Sequence, residues 1–407
     1  MIKLFNRTFL LTFLASAFLV ACDKDNDEVD PQEEQDKLVA SMKVELQENY
    51  ADIVYANYLD AYNTAVALQE AIDALVQSPS ESSLEAAKEA WLAAREPYGQ
   101  TEAFRFAGGP IDDEDGPEGL LNAWPLDESY IDYVYDPNAD ELVYTGIIND
   151  LDTYPTLSKE LLESLNESGG EENISVGYHA IEFLLWGQDL TAPAEKEPGM
   201  RPYTDFTTAE NADRRKTYLT AVVDLLLEDL QEMVDEWNPQ ASGNFRETFL
   251  AMSADEAIKH ILTGIGTLSK SELAGERIFT AYDNRDQEDE HSCFSDNTDR
   301  DIRLNAEGIA NVINGTYTKV DGSAVSGTSF LELLSVVDGD FRNELGTQLA
   351  NTVNAVDATA SPFDFAISDD STRPQVLDAV MQLRTLGDQI AEIGTKLGIS
   401  VNTELPE

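Results

Sequence analysis

Apolar residues recur along most of this chain at spacings of three and four, the signature of helices that bury one face. Leu68, Ile72, Leu75 and Val76 make one such stripe. Leu219, Val222, Val223, Leu226, Leu230, Met233, Val234 and Trp237 make a second, about five turns long. Val376, Val380, Leu383, Ile390, Ile393 and Leu397 make a third near the C-terminus. Pro79 stops one helix, and Ser82 with Glu85 reads as a capping box opening the next. Ser253 and Glu256 open a further helix that the pattern carries to about Tyr282. Strand-like alternation is scarce, and "ELVYTGII" is its best instance. The pattern predicts an all-α chain of long, bundle-packed helices.

Two segments break the helical pattern. Residues 107–140 are rich in Gly and Pro yet carry Trp124, Tyr130, Tyr133 and Tyr135; residues 283–301 are acidic. Long loops with aromatic content are more often packed and functional than disordered. "TAPAEKEPGMRPYTDF" (191–206) reads as a connector. The expected division is therefore a helical domain over 38–195 and a second over 196–400.

The first residues have a different character. Lys3 and Arg7 precede an apolar run from Phe9 to Val20, which ends in "LVAC" at Cys22. The run is too short to span a bilayer and fits a cleaved signal peptide, residues 1–21. The Leu-x-Ala-Cys ending resembles a lipobox, in which Cys22 becomes the lipidated first residue. Residues 22–37 are acidic and lack apolar periodicity, as expected of a solvated tether. The expected location is the cell envelope, anchored by lipid, at the periplasmic side or surface of an outer membrane.

A formal charge of −52 opposes nucleic acid and anionic lipid head groups and attracts cations. With Cys22 lipidated, Cys293 is left alone, so no intramolecular disulfide is expected.

Among three histidines, His179 stands out, because Glu182 three residues on shares its helix face within the apolar "GYHAIEFLLWG". An imidazole and a carboxylate at this spacing fit a metal site, and equally a buried ion pair. No His-Glu-x-x-His occurs, so a zinc hydrolase would need a third ligand from His260 or His291. His260 lies in an apolar helix and reads as a core or boundary histidine. His291 lies among carboxylates and hydroxyls, a setting that suits hard cations or iron. Trp91, Arg95, Tyr98, Glu102 and Arg105 align on one helix face, which Pro97 should kink. Glu272 and Glu276 sit four apart, with Arg277 beside them. Arginines among glutamates fit structural salt bridges, an anion clamp or support around a metal.

Together these segments resemble the imelysin family, also called peptidase M75. The resemblance rests on Gly177-x-His179-x-x-Glu182 with "FLLWGQDL", on "REPYGQTEAFRF" and "NAWPLDESYIDYVY", and on the stretch from "LAGERIFTAYDNRD" to "NGTY". It covers about residues 38 to 396. The resemblance implies two helical domains, each like a four-helix bundle, related by duplication and carrying long irregular insertions. It also implies an envelope location, a link to iron uptake, and a site between the domains. Gly177, His179 and Glu182 are the signature residues; Glu102, Arg105, Glu276, Arg277 and His291 are expected neighbours or ligand-binding groups. The family name further implies a metallopeptidase, which requires an open metal position, a general base and a substrate cleft. The sequence supplies His179 and Glu182 but no separate base. The reading is therefore binding of iron, or an iron-containing ligand, within an envelope uptake complex. A peptidase using Glu182, with zinc as the alternative metal, is the competing reading.

Overall fold

The structure, a computed structural model, describes residues 30–113 and 116–405. The signal sequence, Cys22 and residues 22–29 of the expected tether lie outside the described residues.

The chain is mostly helical. Its longest helix, α1 (Pro31–Gln77), starts inside the expected tether. Asp30 accepts a hydrogen bond from the Gln32 amide, Pro31 opens the first turn, and Glu33 and Glu34 favour its positive end. These local signals make residues 31–37 helical although no apolar face asks for it. Helix α2 (Glu81–Thr101) is capped by Ser80 with Ser83 rather than by Ser82 with Glu85. Ser80 has the extended backbone a cap requires, whereas Ser82 already lies in the first turn. The helix continues through Pro97, whose carbonyl accepts from Asn57.

Short helices α3 (Glu118–Leu121), α4 (Glu128–Ile131), α5 (Gly146–Asn149) and α6 (Lys159–Leu165) punctuate the following irregular region. Strands β1 (Val134–Asp136) and β2 (Glu141–Val143) pair there as an antiparallel hairpin, so the strand-like stretch is a strand over three residues. Then come α7 (Gly177–Trp186), α8 (Ala212–Trp237), α9 (Phe245–Ala251) and α10 (Ala254–Thr267). A π-helical segment, Leu268–Phe279, continues α10 into α11 (Thr280–Asn284), so one helical run does reach Tyr282. Next are α12 (Thr298–Asn314), the antiparallel hairpin β3 (Thr316–Thr318) and β4 (Ala324–Ser326), α13 (Phe330–Val337), α14 (Gly339–Asp357), α15 (Phe363–Ser368) and α16 (Arg373–Lys396).

Helices α2 and α8 pack on α1, and α7 packs on α8 and α2. The π-segment, α10 and α14 pack on α16, while α12 bridges to α2. Thus α8 lies beyond residue 196 yet packs on α1. All eight residues of the α8 stripe are buried, and one apolar core runs continuously from Leu46 to Ile399. Among the described residues, no helix is long and apolar enough to cross a membrane.

Candidate functional site

Every residue of α7 is buried. Gly177 opens it at a φ of +85°, and a Cβ there would lie 2.7 Å from the carbonyl oxygens of Leu120 and Leu121. The motif glycine is thus a packing requirement that seats α7 against α3. Gly177→Ala should destabilise the fold by ~1–3 kcal/mol, combining unfavourable backbone with a backbone clash. Urea unfolding measures this; an unchanged midpoint would refute it.

One turn on, His179 Nδ1 lies 2.9 Å from Glu182 Oε2, with both side chains wholly inaccessible. The other carboxylate oxygen, Oε1, accepts from the Ser295 amide at 2.9 Å and the Ser295 hydroxyl at 2.6 Å. Burial pushes the Glu182 carboxyl up to about 8, while the Ser295 donors favour its ionised form. Burial, with His291 and Arg95, holds the His179 imidazole well below its usual range, so it is neutral at pH 7. Below about pH 8 the Glu182 hydroxyl donates to Nδ1 and the ring proton sits on Nε2; when Glu182 gives up its proton, Nδ1–H donates to the carboxylate and Nε2 carries a lone pair. That Nε2 is buried and has no hydrogen-bond partner among the described residues.

The His291 ring centre lies 4.6 Å from that of His179, nearly perpendicular to it, and Trp124 packs edge-on against His179 at 5.1 Å. His291 Nδ1 is 3.2 Å from Asp301 Oδ2, leaving Nε2 facing Asn122 at 3.5 Å, a long and weak contact. Burial and Arg277 lower the His291 pKa, with Asp301 opposing them.

A polar network underlies the two rings. Arg95 grips Asp301 through Nε and Nη2 and reaches Asn122 through Nη1. Asn122 donates to Glu102, which accepts from Arg277 at 2.6 Å and Arg105 at 3.2 Å. Burial alone would raise the Glu102 carboxyl, but Arg277 and Arg105 outweigh it and hold it at about 2. Arg105 also meets Glu118, and Arg277 meets Glu272 and Asn305. With these glutamates against them, the arginines do not offer an open anion clamp.

A cleft of about 330 Å³ opens onto this network. His291 and Trp124 line it; His179 lies behind them. Around its wall, Glu118, Glu167, Glu272, Glu276, Glu288 and Asp289 outnumber Arg105 and Arg277, so the field favours a cation.

The structure thus gathers Glu102, Arg105, Arg277 and His291 near the His179–Glu182 pair. Glu276 lies exposed at the cleft wall, and Arg277 pairs with Glu272. His260 stands apart, hydrogen-bonded to the Ala107 carbonyl. Cys293 is buried and free. Sequence reasoning did not single out Asn122, Ser295 or Asp301. The last two lie within the acidic stretch flanking His291, which was the signal available. It also passed over Asp132, buried between Arg201 and Arg215 beneath the connector.

The chain is similar to several known proteins. Residues 54–390 match the family described as imelysin, peptidase M75. An iron-regulated protein A of Synechococcus elongatus is 26% identical over 347 residues, covering 83% of this chain and 82% of its own length. A solved structure from Parabacteroides distasonis, titled as a candidate iron-regulated protein A precursor, superposes with a TM-score of 0.67 at 21% identity. It covers 91% of this chain and 97% of that one. An imelysin-like protein from Psychrobacter arcticum gives a TM-score of 0.59 at 16% identity, covering 89% and 98%.

Proposed function

We propose, from the premise that the chain belongs to the imelysin (peptidase M75) family, that it binds iron or an iron-containing ligand at His179 and His291. One observation carries this reading: a buried Nε2 on His179, unpartnered among the described residues, belongs to a ring that lies beside a second imidazole lining an acid-walled cleft. Glu182 orients His179 from behind, as carboxylates do for metal-bound histidines, and is not itself an open ligand. The residues present fit a borderline metal ion, which imidazole nitrogens suit. Such an ion would supply Lewis acidity or redox chemistry, while this chain supplies the two nitrogens and an electrostatic path. Trp124 packs edge-on against His179, which is itself buried. The iron-regulated name of the Synechococcus relative supports a role in iron uptake. We place the protein at the envelope through lipidated Cys22, with two bundle-like helical units descended from a duplication.

Titrating the full chain in detergent with ferrous iron under anaerobic conditions, and with ferric citrate, tests the reading. A saturable single-site isotherm is expected with at least one form, and no binding of either overturns it.

The peptidase reading is disfavoured by the carboxylate. A general base needs an available oxygen, and both oxygens of Glu182 are committed, to Ser295 and His179. An unfolded protein substrate should survive incubation with the metal-loaded chain. Cleavage abolished by chelator and by Glu182→Gln would restore the enzyme reading.

A further inference from the structure

A second cavity, of about 460 Å³, lies between the β1–β2 hairpin and the segment that follows α7. Tyr133, Tyr135 and Leu142 line it from the hairpin, Trp186 from the end of α7, and Leu190 and Met200 from beyond. Leu142, Leu190 and Met200 are nonetheless 48%, 63% and 69% exposed. Single exposed apolar residues are ordinary, but these three gather round one cavity. Two cations beside it are engaged: Arg201 pairs with Asp132 and Asp205, and Lys88 sits over the Trp186 ring at 5.2 Å.

The hairpin backbone supplies a second, independent feature. Its register sets Val134 opposite Val143, Tyr135 opposite Leu142 and Asp136 opposite Glu141. The Tyr135 amide donates to Gln188 Oε1 at 2.7 Å, so it points away from β2. Opposite residues in an antiparallel ladder alternate between exchanging two hydrogen bonds and exchanging none, and Tyr135 with Leu142 is a pair of the second kind. The Leu142 N–H and C=O therefore point off the free side of β2, where neither has a partner among the described residues. All of β2 is exposed. Edge strands are commonly blunted by lysine, yet the sequence has no Lys or Arg between Arg105 and Lys159. Alternation also sorts the two faces of the hairpin. Tyr133, Tyr135 and Leu142 share the face on the cavity, while Asp136 and Glu141 lie on the other. Leu142 belongs to both features, with its side chain at the cavity and its backbone on the open edge.

We propose that the free edge of β2 is a docking site for an extended segment of a partner protein, which adds to the hairpin as a third strand. The open Leu142 groups require a backbone, and the cavity takes a large apolar side chain from the face shared with Leu142. The acidic opposite face selects lysine or arginine at the alternate positions. A second copy of this chain fits poorly, because two acidic hairpins, on chains of formal charge −52, would repel one another.

The peptide Lys-Val-Lys-Trp-Lys-Val-Lys, acetylated and amidated at its ends, has the required alternation and serves as the probe. Calorimetric titration of the full chain in detergent, at physiological salt to screen non-specific attraction, should give a single-site isotherm. The peptide Lys-Lys-Val-Trp-Val-Lys-Lys has the same composition without the alternation, and should bind at least about tenfold more weakly. Hydrogen exchange over residues 141–144 should slow with the first peptide only. Leu142→Pro removes the edge N–H, a change edge strands accept, and Met200→Asp puts a charge at the cavity; each should weaken binding about tenfold or more. Both residues are exposed, so the fold should be retained. Melting curves check this, and Leu190→Asp replaces either variant that melts early. No binding of the alternating peptide overturns the proposal, as does equal binding of the second peptide. Binding undiminished in Leu142→Pro and Met200→Asp overturns it too. A dimer seen by sedimentation and abolished by Leu142→Pro would assign the edge to a second copy, against the proposal.

Discussion

Replacing Arg95 by methionine will cost the fold about 3–5 kcal/mol, the usual penalty for stranding one member of a buried ion pair. Arg95 is 1% exposed, and its guanidinium spans Asp301 and Asn122 while packing against Trp91, Tyr98 and Tyr178. Methionine retains much of the apolar contact, so the loss is chiefly electrostatic. Asp301 would remain buried, with Ser292, Asn297 and His291 around it but no cation of its own. Burial raises the Asp301 carboxyl, but Arg95 and His291 outweigh it and hold it far below the usual range. A depressed carboxylate stabilises the fold above its unfolded pKa, and that stability drains away as pH falls toward the folded value. In Arg95→Met, burial without the arginine raises the Asp301 carboxyl, which takes up a proton as pH falls toward 4, so the cost should be largest at neutral pH and smaller at pH 4. Urea unfolding at pH 7 and pH 4 measures both. Adding Asp301→Asn to Arg95→Met should recover at least ~1 kcal/mol, because the stranded charge is gone. A loss below about 1 kcal/mol at pH 7 would show that the pair is not what holds this part of the core.

The same network shows what sequence could and could not convey. Helical stripes such as Leu219 to Trp237 are local patterns, and the structure buries each member. The His179–Glu182 contact was likewise legible, because helical periodicity brings residues three apart together. Ser295 and Asp301 act across 113 and 206 residues, and no periodicity predicts partners at such separations. Glu276 instructs differently. Ordinary helical spacing puts Glu272 and Glu276 on one face, but residues 268–279 are π-helical. In a π-turn, residues five apart come together, and Glu272 therefore meets Arg277 while Glu276 turns outward. The tether shows a local signal outvoting composition. Residues 31–37 are polar enough for disorder, yet the Asp30 cap, Pro31 and a Glu33–Lys37 pair start α1 there.

Iron affinity will fall by more than about 100-fold in His179→Ala, beyond the 10–100-fold typical of losing a group that merely orients a ligand. The fold should survive this change. Removing the imidazole leaves Glu182 buried beside Ser295, but its carboxyl, raised to about 8, is already protonated at neutral pH and strands no charge. Glu182→Gln provides the sharper comparison. The glutamine oxygen can still accept from the Ser295 amide and hydroxyl, which points its NH₂ at His179 Nδ1. A donor there fixes Nδ1 as acceptor and the imidazole proton on Nε2, whereas Glu182 can give up its proton when iron binds and free the Nε2 lone pair. Affinity should drop about 10–100-fold with nearly unchanged stability, because every hydrogen bond keeps a partner. Iron titrations of both variants, with melting curves as the folding control, separate the roles. Unchanged binding in His179→Ala would remove the histidine from the site. Unchanged binding in Glu182→Gln, with His179→Ala inactive, would mean that the carboxylate does not set the tautomer.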